Sequence, residues 1–243
     1  MQTDFPARID ARQVGYARGW RWIVEAFYLV RQQPLTWMLL AGSYLLIHFA
    51  VAAIPMLGPP LTFFLGPVFA GGFVLAAQQA ERDTELKLSA LFAGFRQAPR
   101  ALLNVGMLYL ALLLLAMMLL SAAMPLLGVH VIATENAQNM PRLDGPIGLL
   151  MLLGAALMFL LSLCYWFAPA LVVLNGLGPW QALRDSFRGG LANWQAVLLS
   201  AFMLALLLFL ALLPLGLGLL LWFPVLYVTA YTGWKDLFAP RAD

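Results

Sequence analysis

The side chains able to do chemistry are few and far apart. Two histidines, His48 and His130, and one cysteine, Cys164, are present among 243 residues. A single thiol can neither close an intramolecular disulfide nor supply a multi-thiolate zinc site, and its place inside an apolar run fits a small buried side chain. His48 sits in a stretch free of charge from Leu35 to Ile54. There it can bond a neighbouring helix, act as a protonatable gate, or ligate a metal or haem. A haem held between helices usually takes a second axial ligand, and the only other histidine, His130, belongs to a polar stretch at 128–145. That stretch also holds Glu135, Asn136, Asn139, Arg142 and Asp144. One histidine with two carboxylates can hold a metal or form an acid–base pair. The spacing matches no ligand signature, however, and solvated loop polarity accounts for it. No G-x-S-x-G, G-x-x-x-x-G-K-[ST] or H-E-x-x-H occurs. The sequence therefore assigns no catalytic residue, no metal ligand and no cofactor, and predicts a protein that is not an enzyme.

What must position these residues is a lipid-embedded scaffold. The chain is 63% hydrophobic and 10% charged, with a mean hydropathy of +0.86. Soluble domains are about 45–50% apolar and about 25% charged. A soluble globule, a disordered tail and a disulfide-stapled secreted module are all excluded. A membrane helix needs about 20 mostly apolar residues. Six stretches qualify: Leu35–Ile54, Leu61–Ala77, Ala101–Met124, Ile147–Leu174, Trp194–Leu213 and Leu215–Tyr231. The last two are separated by little more than Pro214 to Gly218, yet one helix from Ala192 to Tyr231 would run about 60 Å, twice the hydrocarbon thickness. A hairpin is predicted instead. The first apolar run follows five arginines (Arg8, Arg12, Arg18, Arg21 and Arg31), an arrangement unlike a cleavable signal peptide.

Charge sets the predicted orientation. Of the 14 basic residues, all but Arg142 fall before the first span, between the second and third, between the fourth and fifth, or after the sixth. Cytoplasmic loops concentrate Lys and Arg, so both termini are predicted to face the cytoplasm. Trp20, Trp22, Trp37, Trp180, Trp194 and Trp234 fall near the same side, where amphipathic rings favour the headgroup layer. The net charge of +3 and pI near 9.2 thus reflect membrane orientation. Nucleic-acid binding would need a basic soluble domain, and none is expected.

A short unit recurs. Phe27-Tyr28-Leu29-Val30-Arg31-Gln32-Gln33-Pro34 aligns with Phe92-Ala93-Gly94-Phe95-Arg96-Gln97-Ala98-Pro99, each running into a span. Leu183-Arg184-Asp185-Ser186-Phe187-Arg188, ahead of Asn193-Trp194, is a degenerate third copy. Apolar residues before each arginine keep helical spacing (Ile23, Phe27 and Val30; Leu88, Leu91, Phe92 and Phe95; Trp180, Leu183 and Phe187). This predicts amphipathic helices lying apolar side down in the interface, with Arg31, Arg96 and Arg188 near lipid headgroups. The even-numbered spans carry Pro67, Pro169 and Pro224 about ten residues before their cytoplasmic ends, predicting three kinks at matching depth. The predicted fold is all-α. Its one membrane domain, 1–243, comprises a cytoplasmic segment at 1–14 and three pseudo-repeated units at about 15–78, 84–180 and 181–235. Each unit is an interfacial helix, a span, an outer turn and a kinked span. Ala70-Gly71-Gly72 and Gly154-Ala155-Ala156 read as helix-packing seams.

In the Phe92…Arg96…Pro99 pattern and the Gly66-Pro67 and Phe223-Pro224 kinks, spread over Trp20 to Trp234, the chain resembles uncharacterised six-span proteins of bacterial inner membranes. These are the YciC-like proteins and the membrane domain attached to some glycerophosphodiester phosphodiesterases. The resemblance implies an inner-membrane helix bundle of unassigned activity, and no catalytic residue carries over. The six spans hold no Asp, Glu, Lys or Arg, which argues against proton- or sodium-coupled transport. The expected function is that of an accessory, scaffold or lipid-interacting membrane protein, with membrane lipids and a membrane-protein partner as its contacts. The alternatives are a carrier or flippase for a lipid or other apolar molecule and, behind it, a haem-associated subunit.

Overall fold

Short amphipathic helices and long apolar ones alternate along the chain, with prolines marking several of the starts. In the computed structural model, which describes residues 10–132 and 142–240, α1 (Arg18–Val30) leads to α2 (Pro34–Ala52) and α3 (Gly58–Glu81). A 3-10 turn (Leu88–Phe92) and α4 (Ala93–Gln97) lead to α5 (Pro99–Leu126). The strands β1 (His130–Ile132) and β2 (Arg142–Asp144) follow, then α6 (Ile147–Trp166) and α7 (Ala168–Asn175). Last come α8 (Pro179–Ala192), α9 (Trp194–Leu212) and α10 (Leu219–Phe238). Pro34, Pro99 and Pro179 occupy first-turn positions, where the missing N–H is no loss. Gly176, at φ +68°, ends α7 in the left-handed conformation that glycine adopts without penalty.

Five helical stretches are long and apolar enough to cross a membrane: α2, α3, α5, α6 continued by α7, and α9. Helix α10 falls short in composition, because its C-terminal half carries Thr229, Tyr231, Thr232, Lys235 and Asp236. The hairpin between α9 and α10 forms as expected, through a tight turn in which Leu215 and Gly216 take φ +54° and +80°. The connection from α5 to α6 departs from a plain loop. β1 and β2 pair antiparallel, with His130 opposite Asp144. Glu135, Asn136 and Asn139 lie outside the described residues.

Helices α3, α7 and α10 pack on one another at the centre, while α2, α5 and α9 lie outside them. Each outer helix buries one narrow stripe: Trp37, Leu40, Ala41 and Tyr44 on α2; Leu102, Val105 and Gly106 on α5; Ala196, Val197, Ser200 and Leu204 on α9. The remaining faces are apolar and exposed, including Met107, Met117 and Met118 on α5, and so are Met151 and Met158 on α6, as suits lipid contact. The short helices sit differently from their prediction. The apolar face of α1 (Trp22, Ile23 and Ala26) is fully buried against α9 and α10, and Phe27 lies outside that face. The second segment is a 3-10 turn plus one α-turn rather than a continuous helix, so Leu88 and Phe92 stay exposed. It lies against α2 and α3, and α8 lies against α5, α6 and α7. Gly72 makes the second contact: a Cβ there would stand 2.1 Å from the Leu91 carbonyl oxygen. The Gly154 seam does not form, since Gly154 is half-buried and Ala155 and Ala156 are exposed.

Pro67 and Pro224 sit inside unbroken α3 and α10. Near Pro169 the helix breaks at Phe167. The buried Ser186 of α8 mends the break. Its hydroxyl donates to the Leu163 carbonyl at 2.7 Å and accepts from the Phe167 N–H at 3.1 Å. A side-chain hydroxyl has thus entered the backbone ladder, one of the standard causes of a helix kink.

Candidate functional site

The polar residues the fold brings together lie at one end of the central helices. Glu81 closes α3, Asn175 closes α7, and Tyr231, Trp234, Lys235 and Asp236 occupy the last two turns of α10. The Tyr231 hydroxyl donates to Glu81 Oε2 at 2.6 Å, and Lys235 Nζ pairs with Glu81 Oε1. Trp234 Nε1 donates to Asn175 Oδ1 at 2.7 Å. On the opposite flank of α10, Asp236 Oδ2 accepts from Arg18 Nε at 2.6 Å and from Trp22 Nε1 at 2.7 Å. Arg18 also reaches Glu25 at 3.1 Å. Helix α10 is therefore tied by side chains to α3, α7 and α1 within about two turns. The Asp236 partner holds the Arg18 guanidinium more firmly protonated than usual. Partial burial outweighs the Arg18 charge at Glu25 and pushes its carboxyl up.

The N-terminal arm completes this polar clamp. Arg12 donates to the Lys235 and Ala239 carbonyls at 2.8 and 3.0 Å, satisfying acceptors that the end of α10 leaves open. Asn193, buried at the α8–α9 junction, accepts from the Val14 N–H at 2.8 Å and donates to the Arg12 and Gly189 carbonyls, both at 2.9 Å.

Beneath the clamp lies an apolar cavity of about 140 Å³ between the three central spans, walled by Val74, Tyr165, Trp166, Pro169, Tyr227 and Ala230 among others. Val74 is seven residues from Glu81 and Ala230 five from Lys235, so the cavity begins about 8–10 Å below the charges. Its walls are not sealed all round. Tyr165, Trp166, Leu226 and Tyr227 are half-exposed. The seams of α3 with α5 and of α10 with α2 are closed by packing. The indole Nε1 of Trp166 is buried with no hydrogen-bond partner among the described residues.

The residues predicted from sequence divide between this site and the surface. Pro169 lines the cavity, while Pro67 and Pro224 are buried in the two neighbouring spans. Arg31, Arg96 and Arg188 are exposed and outside the clamp. The Arg31 guanidinium stacks 4.1 Å above the Tyr28 ring, and Arg96 donates to the Ser89 carbonyl at 3.0 Å. His48 is half-buried, in ring contact with Tyr44 and Phe49. Among the described residues no group of three His, Cys, Asp or Glu side chains converges to hold a metal ion. Glu81, Asn175 and Asp236 were not singled out by the sequence, and Ser186 and Asn193 entered it only as members of the third copy of the recurring unit. Their one signal was position: polar residues within a turn of a span end or just ahead of a span.

No protein-family model matches the chain, and no solved structure matches it. Over 180 residues, 70% of the chain, it is 28% identical to a protein of Burkholderia thailandensis described as a probable inner membrane protein. The match covers 66% of that protein's length, just under two thirds. With five membrane-capable helices and this likeness, the chain is a transmembrane protein similar to a probable bacterial inner membrane protein.

Proposed function

We propose that the chain is a non-enzymatic, lipid-binding protein of the bacterial inner membrane that seats an apolar chain between its central spans. The observation that carries this reading is the apolar cavity beneath the polar clamp. An apolar cavity of about 150 Å³ stays dry and accepts a benzene-sized guest. Several of its wall residues are half-exposed in a bundle surrounded by lipid, so the nearest guest is a lipid chain.

In this reading the chain crosses the bilayer six times with both termini in the cytoplasm, and α10 is the sixth crossing. Three units, at about 15–78, 84–180 and 181–235, build the bundle. Two features support the repeat. The residues before α2, α5 and α9 (Gln33, Ala98 and Asn193) share one unusual backbone conformation, with φ of −138°, −148° and −121° and ψ of 59°, 50° and 29°. Each short helix also packs on both spans of the preceding unit, and α1 closes the circle by packing on α9 and α10. The likeness to the YciC-like six-span proteins rests on the Phe92…Arg96…Pro99 pattern and on Gly66-Pro67 and Phe223-Pro224. Arg31, Arg96 and Arg188 would meet anionic headgroups, at about 1 kcal/mol per basic residue near the surface.

The half-exposed wall residues Trp166 and Leu226 favour a second reading, a carrier that exchanges its guest sideways with the bilayer. One experiment addresses both. The full chain is purified in lipid nanodiscs, and the bound lipid is read by native mass spectrometry, for the wild type and for Ala230→Phe, which fills the cavity. Stoichiometric lipid on the wild type that is lost from the variant supports binding, and movement of labelled lipid in vesicles then supports the carrier. Equal lipid retention by the two proteins overturns the assignment of the cavity.

A further inference from the structure

We propose that a cleft of about 500 Å³ at the end of the central helices binds a small zwitterion, an oxyanion joined to an ammonium group. The cleft lies between the N-terminal arm, the end of α7 and the residues that close α10. Its polar lining is the Asp10 carboxylate, the Arg12 guanidinium and the Asn175 amide, beside Phe238, Ala239 and Pro240. A concave, mostly apolar site with a few convergent polar groups is the usual form of a small-molecule pocket, and the volume falls in the usual range. The site is separate from the central cavity and does not depend on the lipid chain assigned there.

The polar groups are held in place but not used up. The Arg12 backbone N–H donates to the Leu237 carbonyl at 2.9 Å, and its Nη2 donates to the Lys235 and Ala239 carbonyls. Arg12 Nε and Nη1 have no acceptor among the described residues, and neither is sealed from solvent. Asn175 Oδ1 accepts from Trp234 Nε1, which orients the amide and leaves Nδ2 open in the same way. Asp10 is exposed and forms no ion pair with Arg12, two residues on. A side chain fixed before the ligand arrives lowers the ordering cost of binding. The charges then decide the class of ligand. An anion alone would take the Arg12 and Asn175 donors but meet the Asp10 carboxylate, and a cation alone would meet the Arg12 guanidinium. A ligand of both signs satisfies all three groups, its oxyanion accepting from Arg12 and Asn175 and its ammonium donating to Asp10. Two sources offer this chemistry: the phosphoethanolamine headgroup of a membrane lipid and a free zwitterionic solute.

The test titrates the full chain in phosphatidylglycerol nanodiscs with two soluble probes, followed by ligand-observed NMR. One is glycerophosphoethanolamine; the other, glycerophosphoglycerol, keeps the phosphodiester and lacks the ammonium. The wild type is expected to bind the first about two- to five-fold more tightly, the scale of one exposed ion pair. Asp10→Asn, at a residue with no partner to lose, is expected to bring the two affinities together. Glycerophosphoglycerol should bind that variant no more weakly than the wild type, which reports an intact cleft. In competition, tighter binding of dioctanoyl phosphatidylethanolamine than of glycerophosphoethanolamine assigns a lipid headgroup, and the reverse order assigns a free solute. Failure of both soluble probes to bind, equal affinity for the two, or a ratio unchanged by Asp10→Asn overturns the proposal. Ala230→Phe, which fills the central cavity, is expected to leave the ratio as it is, so the two sites fail independently; a ratio lost in that variant would overturn the separate cleft.

Discussion

Replacing Ser186 with alanine removes one oxygen and breaks two bonds. The hydroxyl bridges the Leu163 carbonyl and the Phe167 N–H, the pair that would bond directly in an unbroken helix. Two outcomes compete. The backbone can close up, straighten and form the direct bond, or it can keep its break and leave two buried groups short of partners. Packing decides for the second. Leu163 and Phe167 are fully buried, and the Phe167 ring is fixed edge-on by Trp22 at 6.3 Å and by Phe238 at 5.6 Å. Straightening would pull that ring out of both contacts. Each lost bond is worth about 1 kcal/mol net, and an unmet buried group costs about 1–3 kcal/mol, so Ser186→Ala should lose about 2–4 kcal/mol. At roughly 2–4 °C per kcal/mol for a chain of this length, Tm should fall by about 5–15 °C. Thermal unfolding in detergent, followed by tryptophan fluorescence, measures the drop. Ser162→Ala is the control, because that hydroxyl bonds only the Phe159 carbonyl one turn back in its own helix. A Ser186→Ala protein that melts with the wild type would show that the hydroxyl does not hold the break.

Three further outcomes follow from the same geometry. Because burial raises the Glu25 carboxyl above its ordinary range, the folded state binds its proton more tightly than the unfolded chain. Stability from this group is therefore present at low pH and lost as pH rises through the raised value. Glu25→Gln should melt no lower than the wild type at pH 7 despite the Arg18 contact, and its relative advantage should shrink as the pH is lowered through the carboxylate range; a large loss at pH 7 would contradict this. At Gly19 a Cβ would stand 2.1 Å from the Ala196 carbonyl oxygen, so Gly19→Ala must push α1 off α9 and should lower Tm by several degrees. Gly42→Ala, whose nearest neighbour is 3.7 Å away, should not, and equal melting of the two variants would refute the close approach. In a Cys164→Ser background, a membrane-impermeant maleimide added to spheroplasts should label Met56→Cys, at the exposed α2–α3 turn, and spare Arg184→Cys on α8. The opposite pattern would invert the proposed topology.

Composition and proline spacing made the helical, membrane-spanning character legible, because both act locally. A run such as Leu35 to Ile54 has only one low-energy solvent, and Pro34 or Pro99 suits the first turn of a helix, where its missing N–H is no loss. The burial of α1 was not legible. A stripe of Trp22, Ile23 and Ala26 has the same period whether it meets lipid or protein, and only the positions of α9 and α10 decide between them. The same ambiguity hid the failure of the Gly154 seam: small residues permit close approach without compelling it. The clamp was illegible for a different reason. Glu81 and Lys235 are 154 residues apart, Arg18 and Asp236 218 apart. Each reads alone as a charge flanking a span, and only closure of the bundle makes them partners.

Helix α10 shows how the local and the distant readings join. Taken by itself, the second half of α10 is too polar for lipid, and by composition it drops out of the set of membrane-capable helices. Taken in place, its polar atoms are occupied. Thr229 donates to the Val225 carbonyl at 2.7 Å and Thr232 to the Trp22 carbonyl at 2.9 Å, while Tyr231, Trp234, Lys235 and Asp236 are held by α3, α7 and α1. A helix in this position is surrounded by protein and need not be apolar, because its neighbours, rather than its own side chains, present hydrocarbon to the lipid. The polarity that removes α10 from a hydropathy count is therefore what suits it to the centre, where it can anchor the other central spans and roof the cavity they share. If that is its role, Asp236→Ala should loosen α1 and α10 together. Hydrogen exchange should then rise in both helices and leave α5 unchanged, and exchange confined to α1 would show that α10 is held without the clamp.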